Sequence, residues 1–477
     1  MTIALDAPLA SALADQARTG PTLSFHALPL ASARLSMPPE WADRFAALHD
    51  VSSHADVSLS GHALDSFFAP RGPLDAAQAL AARAFGVDAV FFGTCGTTLS
   101  NRVALESLTT SGGSLLLDGA SHQSLVFGAR AAGLDVTLIE PISAGGRLVP
   151  DLDTLVRLLA DAALAGRPFD AVAVTASSYD GYVVRMDELL PRLVQASPTT
   201  SILLDAAWTA IHAFSQTMRH MWPSRAAAHL RARMELPPIV ITTSGHKSLC
   251  ALRQGSYLLV MGGDAVVERV KAANFLHHTT SPSWPILASL DLAREHAEHL
   301  GDDAFGRAAS MRDEFLATLR GDPLLASLTQ ETGGDFCGMP GLAQDPLKLS
   351  VKAEPMGSAE DVRLFLFAQY GVYVSRCNDS GLLLNFTIGT QPRAVDALLR
   401  GLRALMRTKG RAAPSSREPY SIGSVVEHFV VPYPPGVPIA RPGDVWTADH
   451  QATLAREIRA GAEIFRLPSP ELERTSR

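Results

Sequence analysis

At 477 residues the chain is too long for one core of ordinary size, so a large domain with a smaller companion is expected. Hydrophobic residues at 47% and charged residues at 19% fit a folded globular protein rather than a disordered one. A formal net charge of -7 leaves no electrostatic footprint for nucleic acid, and no stretch approaches the length of a membrane span. The four cysteines, Cys95, Cys250, Cys337 and Cys377, lack CxxC spacing, so they suggest neither a metal site nor a disulfide framework. They read as reduced thiols in a cytoplasm. Met1 to Ala14 carries Asp6, no Lys or Arg and no long apolar run, unlike a signal peptide.

From about Leu74, short β-like runs alternate with helical patterns, the rhythm of an α/β sheet with helices on its faces. Val87–Phe92 is strand-like and runs into the turn Gly93-Thr94-Cys95-Gly96-Thr97-Thr98, after which Leu99 through Leu108 is helical. Ser114–Leu117 is strand-like, Gln123–Ala132 helical, Asp135–Glu140 strand-like, and Leu152–Ala165 an Ala/Leu-rich helix between Pro150 and Gly166. Apolar runs at Ala171–Val174, Ser201–Leu204, Ile239–Ile241 and Tyr257–Val260 complete a buried, mostly parallel sheet. A long helical stretch from Ala288 to about Leu319 leaves it, and residues 343–405 form the core of a small α/β domain. The division expected is an N-terminal segment 1–73, a large domain 74–290, a small domain 291–408 and an extension 409–477. That extension is polar over Arg411–Arg417 and Pro/Gly-rich over Pro432–Pro442, and is expected to dock on the rest. No internal repeat or low-complexity tract is visible.

In such sheets ligands bind at the carboxyl ends of strands, so the residues after each run are the ones that matter. Ser244-Gly245-His246-Lys247 puts an amine there, able to form an imine with a carbonyl cofactor, although most lysines are solvated surface groups. Asp205-Ala206-Ala207-Trp208 puts a carboxylate at another strand end, where it could pair with a pyridine nitrogen or simply cap a helix. Gly96-Thr97-Thr98 at a strand-to-helix turn could hold a phosphate through N–H groups and hydroxyls, or be a plain capping turn. Ser121-His122-Gln123-Ser124 offers an imidazole that could lie on a planar cofactor, against the commoner structural histidine. Four weak signals at the strand ends of one sheet are together much stronger than any one.

Lys247 in SGHK, Asp205 in DAAW, His122 in SHQSL and the GTT turn resemble the ornithine/lysine/arginine decarboxylase family. So do Pro70-Arg71-Gly72-Pro73-Leu74, Ser178-Tyr179-Asp180-Gly181, Thr279-Thr280-Ser281-Pro282-Ser283, Asp345-Pro346-Leu347-Lys348 and Pro432-Tyr433-Pro434-Pro435-Gly436-Val437-Pro438, in the family's order. The likeness covers roughly residues 65 to 445, at the length of the family's short forms without an N-terminal wing domain. It implies the fold-type I architecture, an α/β large domain with a mostly parallel sheet, and pyridoxal 5'-phosphate (PLP) as cofactor. By the same resemblance Lys247 forms the internal aldimine, Asp205 contacts the pyridine nitrogen, and His122 stacks on the ring. Gly96, Thr97, Thr98 and Ser244 would hold the phosphate, and Trp208 and His246 would flank the cofactor. Thr280 and Ser281 would reach a neighbouring subunit's cofactor, implying a homodimer or higher oligomer with shared sites.

Two departures bear on the substrate. The Gly-His-Lys of the family's N-terminal Pro-Gly-His-Lys is absent, the chain reading Phe25-His26-Ala27-Leu28-Pro29-Leu30-Ala31. An acid that follows the Gly-Val-Tyr step in basic-amino-acid decarboxylases is replaced by Ser375, beside Arg376. The expected reaction is therefore decarboxylation of an amino acid, possibly basic as in polyamine biosynthesis. Aldolase-like, transaminase-like or oxidative PLP chemistry is the alternative, and a catalytically silent PLP fold a third reading.

Overall fold

A computed structural model of the chain describes residues 23–25, 29, 33, 37–50, 65–144, 147–329, 336, 338–374, 376–378, 381–408, 420–433, 436–459 and 462–468. The centre is a seven-stranded sheet of β1 (Ala89–Gly93), β2 (Ser114–Asp118), β3 (Asp135–Ile139), β4 (Ala171–Thr175), β5 (Ser201–Asp205), β6 (Ile239–Ser244) and β7 (Ser256–Met261). In space these run β1-β7-β6-β5-β4-β2-β3. Strands β4, β5 and β6 are buried at every residue, which explains why they read as continuous apolar runs rather than alternating ones. The period of two persists inside them. Val172, Val174, Ile202, Leu204, Ile239 and Ile241 feed the core on one face, while Ala171, Ala173, Leu203 and Val240 feed the core on the other.

Four strand pairings are parallel, but β7 lies antiparallel to both β6 and β1. The connection from Ser244 to Ser256 is too short for a crossover helix, so the chain turns straight back. Gly93, Asp118, Thr175, Asp205 and Ser244 end their strands on one edge of the sheet, and that edge carries the site.

Helices α1 (Pro73–Phe85), α2 (Gly96–Leu108), α3 (Gln123–Ala131), α4 (Leu152–Leu164) and α5 (Met186–Ala196) alternate with these strands. Helix α2 begins three residues before the Leu99 expected from sequence, so Gly96-Thr97-Thr98 is its first turn and not a preceding loop. After α6 (Asp264–His277) the 38-residue α7 (Trp284–Gly321) also starts earlier than its apolar pattern suggests, with Pro285 in the first turn, where its missing N–H costs nothing.

Helix α7 ends in a second core, where Phe315 and Leu319 meet Val351, Leu366, Leu382 and Leu398. That core joins α8 (Ala359–Tyr370) and α9 (Pro392–Thr408) to an antiparallel sheet of β8 (Lys348–Val351), β9 (Arg376–Asn378) and β10 (Gly381–Asn385). The C-terminal region pairs β11 (His428–Tyr433) with β12 (Glu463–Pro468) and packs α10 (Ala448–Arg459) over Val426, Val430 and Trp446. Phe429 meets Phe127 of α3 edge-on at 4.8 Å, so this extension is docked on the large sheet's helices. Among the described residues no helix is long and apolar enough to cross a membrane.

Candidate active site

A cavity of about 580 Å³ opens at the carboxyl edge of the sheet, the place where open α/β folds bind ligands. Gly96, Thr97, Thr98, His122, Asp205, Trp208, Ser244, His246 and Lys247 all line it. Nine residues from four separate segments therefore converge on one space.

At one end, the Thr97 and Ser244 hydroxyls are 2.6 Å apart, tying the first turn of α2 to the end of β6. Gly96 has φ of 71°, a left-handed conformation natural to glycine, and its N–H donates to the Gln254 carbonyl at 2.7 Å. No side chain caps this helix, so N–H groups of the first turn and two hydroxyls face a position suited to a dianion.

At the other end Asp205 is 3% exposed. Its Oδ2 accepts from Asn101 Nδ2 at 2.8 Å and its Oδ1 from the Ala207 N–H at 3.0 Å. Burial pushes this carboxyl above its usual range, while Asn101, Lys247 and the Ala207 N–H pull it back. Asn101 was not picked out from sequence. It follows Thr97 by one helical turn on the same face of α2, so helical periodicity would have pointed to it. Its Oδ1 accepts from Thr242 and its Nδ2 also reaches the Ser124 hydroxyl at 2.8 Å.

His122 caps α3, its Nδ1 accepting the Ser124 N–H at 3.1 Å. Burial, reinforced by Lys247, pushes this imidazole down to about 3, so it is a neutral ring with its proton on Nε2. His246 donates from Nδ1 to the Gly255 carbonyl at 2.9 Å and is pushed to about 4 mainly by burial. Lys247 sits between the two ends with Nζ 4.1 Å from the centre of the Trp208 ring. Burial lowers this amine to about 8, opposed by Asp205. Trp208 is in turn met edge-on by Tyr179 at 4.7 Å, so it is a wall of the cavity rather than part of the core.

Thr280 and Ser281 are not brought to this cavity within one chain; they are exposed between α6 and α7. Ser375 lies outside the described residues, as do His26, Ala27, Leu28, Leu30, Ala31, Pro434 and Pro435, and Arg376 is described only as backbone in β9. The docked extension contributes a wall that sequence reasoning gave no site residues: Tyr433 from β11, and Arg456 and Glu457 from α10. Gly436, with φ of 86°, closes on His122; a Cβ there would lie 3.1 Å from His122 Nε2. Asp180 and Arg147 complete the rim.

A dianion cradle, a buried carboxylate, a neutral imidazole and a depressed lysine amine around one flat cavity fit PLP group by group. The sheet order, the lysine after β6 and the acid after β5 define a fold-type I PLP enzyme. Lysine decarboxylase A from Pseudomonas aeruginosa shares this fold, with a TM-score of 0.67 and 23% identity over 85% of this chain and 69% of that one. The constitutive lysine decarboxylase of Escherichia coli superposes with a TM-score of 0.65 over 90% of this chain and 75% of that one, at 21% identity.

Residues 46–320 match the family described as Orn/Lys/Arg decarboxylase, major domain, and the chain belongs to that family of PLP-dependent lyases. Arginine decarboxylase from Halalkalibacterium halodurans is 25% identical over 439 residues, covering 84% of each chain. The constitutive lysine decarboxylase of Escherichia coli is 27% identical over 406 residues, covering 74% of this chain and 54% of that one.

Proposed function

We propose that the protein removes the α-carboxylate of a basic amino acid as CO2, using PLP held covalently through the amine of Lys247. The observation that carries this reading is the convergence of Lys247, Asp205, His122 and the Thr97–Ser244 pair on one cavity. Asp205 would sit on the pyridine nitrogen, His122 on the ring face, and Gly96, Thr97, Thr98 and Ser244 on the phosphate. Trp208 and His246 would flank the ring. When bound, the cofactor supplies an electron sink for the bond broken at the substrate's Cα.

The chain's own residues do the rest. Asp205, braced by Asn101 and the Ala207 N–H, offers a fixed negative charge where a protonated ring nitrogen belongs. His122 cannot rotate, because Nδ1 is engaged by Ser124, so it presents a constant flat surface. Lys247 Nζ, depressed to about 8, can carry a proton near neutral pH and give it to the substrate's Cα. Tyr433 of the extension lines the cavity and Gly436 lies against His122, so the extension would help to limit water at the substrate's Cα.

Two observations support a cationic substrate side chain: the relatives above are named for arginine and lysine, and the carboxylates of Asp180 and Glu457 line the cavity. These acids stand in for the one that Ser375 replaces. Thr280 and Ser281, exposed in one chain, would complete the site of a second subunit, making the working form a homodimer or larger. Its place would be the cytoplasm, where a small amine product could serve polyamine synthesis. The test is CO2 release from arginine, lysine and ornithine by purified enzyme loaded with PLP. Stoichiometric CO2 and amine from one of them is the expected result; substrate turnover without CO2 would move the reading to another PLP reaction.

A further inference from the structure

A second lysine lies behind the cavity. Lys348, at the start of β8, is 3% exposed and does not line the cavity, yet its Nζ is 4.7 Å from the centre of the same Trp208 ring that Lys247 approaches at 4.1 Å. By these two distances the amines are within about 9 Å of each other, beside one indole. Lys348 Nζ also donates to the carbonyls of Ser178 at 2.7 Å and Tyr179 at 2.9 Å. Tyr179 stands edge-on against Trp208, so one ammonium ties together the turn, the tyrosine and the tryptophan that wall the site. Gly181, with φ of 107°, lets the turn pass close to this side chain; a Cβ there would lie 3.2 Å from Lys348 Cβ and Cδ.

We propose that Lys348 is a positioning residue for Lys247: from the small sheet it fixes the Ser178–Tyr179 turn and the Trp208 wall, and sets a second positive charge beside the cofactor lysine. A solvated lysine could do neither, and a buried one is costly unless its charge is used or paired. Asp205 at the end of β5, His122 at the cap of α3 and His246 on its own turn line the cavity with Lys247, as do Arg147, Asp180 and Arg253, and Lys348 lies beside Trp208. Around Lys348 stand Asp345, Asp180 and Arg147. Asp345 Oδ1 also lies 3.4 Å from His212 Nε2. A positive neighbour disfavours a proton on the nitrogen through which Lys247 holds the cofactor, keeping that nitrogen easier to deprotonate than an isolated one.

The inference rests on Lys247 being the cofactor lysine, and the experiment separates the two. The pH midpoint at which the holoenzyme's long-wavelength band titrates is measured for wild type, Lys348→Gln, Lys348→Met and Lys348→Arg, with kcat and KM taken at the same pH values. Glutamine keeps one donor for the two carbonyls without a charge, and methionine keeps only the bulk, so loss of one variant to misfolding leaves the other. Both neutral variants should raise the midpoint by about one pH unit, as expected for a unit charge at this range in a partly screened interior. Lys348→Arg should hold the wild-type midpoint, and kcat should fall more than KM rises in Lys348→Met. A neutral, folded variant with the wild-type midpoint would overturn the proposal. A wild type without the band would instead sink the assignment of Lys247.

Discussion

Each site residue has two jobs that can be separated by substitution. Asp205→Asn keeps the shape and a hydrogen bond to Asn101 but removes the charge, so kcat should drop by roughly 100-fold or more while the protein still folds and takes up PLP. Steady-state kinetics beside a circular-dichroism spectrum checks this. Asn101→Ala removes a donor to a buried carboxylate, a bond of a kind worth about 1.5–3 kcal/mol, and should loosen PLP at least tenfold in equilibrium dialysis. The Lys247 amine gives a pH dependence with a definite sign. Burial places its pKa near 8, so the neutral, nucleophilic amine accumulates above pH 8 and is lost below it. The rate at which apoprotein takes up PLP, followed by absorbance, should rise with pH and level off above about 8, not near the 10.4 of a free lysine. The residues with this chemistry were legible because strand ends announce themselves: Lys247, Asp205 and His122 each follow a run of apolar residues. Asn101 was not picked out because Asp205 lies 104 residues away, and Lys348 was visible only as part of the Asp345–Lys348 signature, since folding alone brings it to Trp208.

At the level of elements, the strands of the sheet were readable to within a few residues, since full burial leaves unbroken apolar runs. Helix starts were less so, because the first turn of α2 serves a ligand and its Gly-Thr-Thr carries no apolar period. The reversed direction of β7 follows from the length of the connection after β6, which a count of residues could have flagged. The element with the least sequence signal is the extension, whose Pro and Gly content suggested an irregular docked segment but not that Tyr433, Arg456 and Glu457 line the cavity. Gly436 is one point of contact, beside His122. Gly436→Val puts a β-branched residue at φ of 86° and crowds His122, and should cost about 1–3 kcal/mol in denaturant melts while raising the KM for substrate.

For the whole molecule, a single chain brings Lys247, Asp205 and His122 to one cavity but leaves Thr280 and Ser281 on its surface. If they complete a neighbour's site, Lys247→Ala and a Thr280→Ala/Ser281→Ala variant, each impaired alone, should recover activity when refolded together, because one hybrid site carries neither lesion. No recovery on mixing, with mixed oligomers demonstrated by differential tagging, would mean that those residues do not serve a neighbour's site. Only the family resemblance pointed Thr280 and Ser281 to a second subunit, since spacing along one chain carries no information about a second copy.

The central claim is that Lys247 holds PLP, and the most direct measurement is borohydride reduction of the purified holoenzyme followed by peptide mass spectrometry. The phosphopyridoxyl group should be found on Lys247 alone, with the long-wavelength absorbance lost on reduction and absent from Lys247→Ala. Label on Lys348 or any other lysine, or no label after incubation with PLP, would contradict the account.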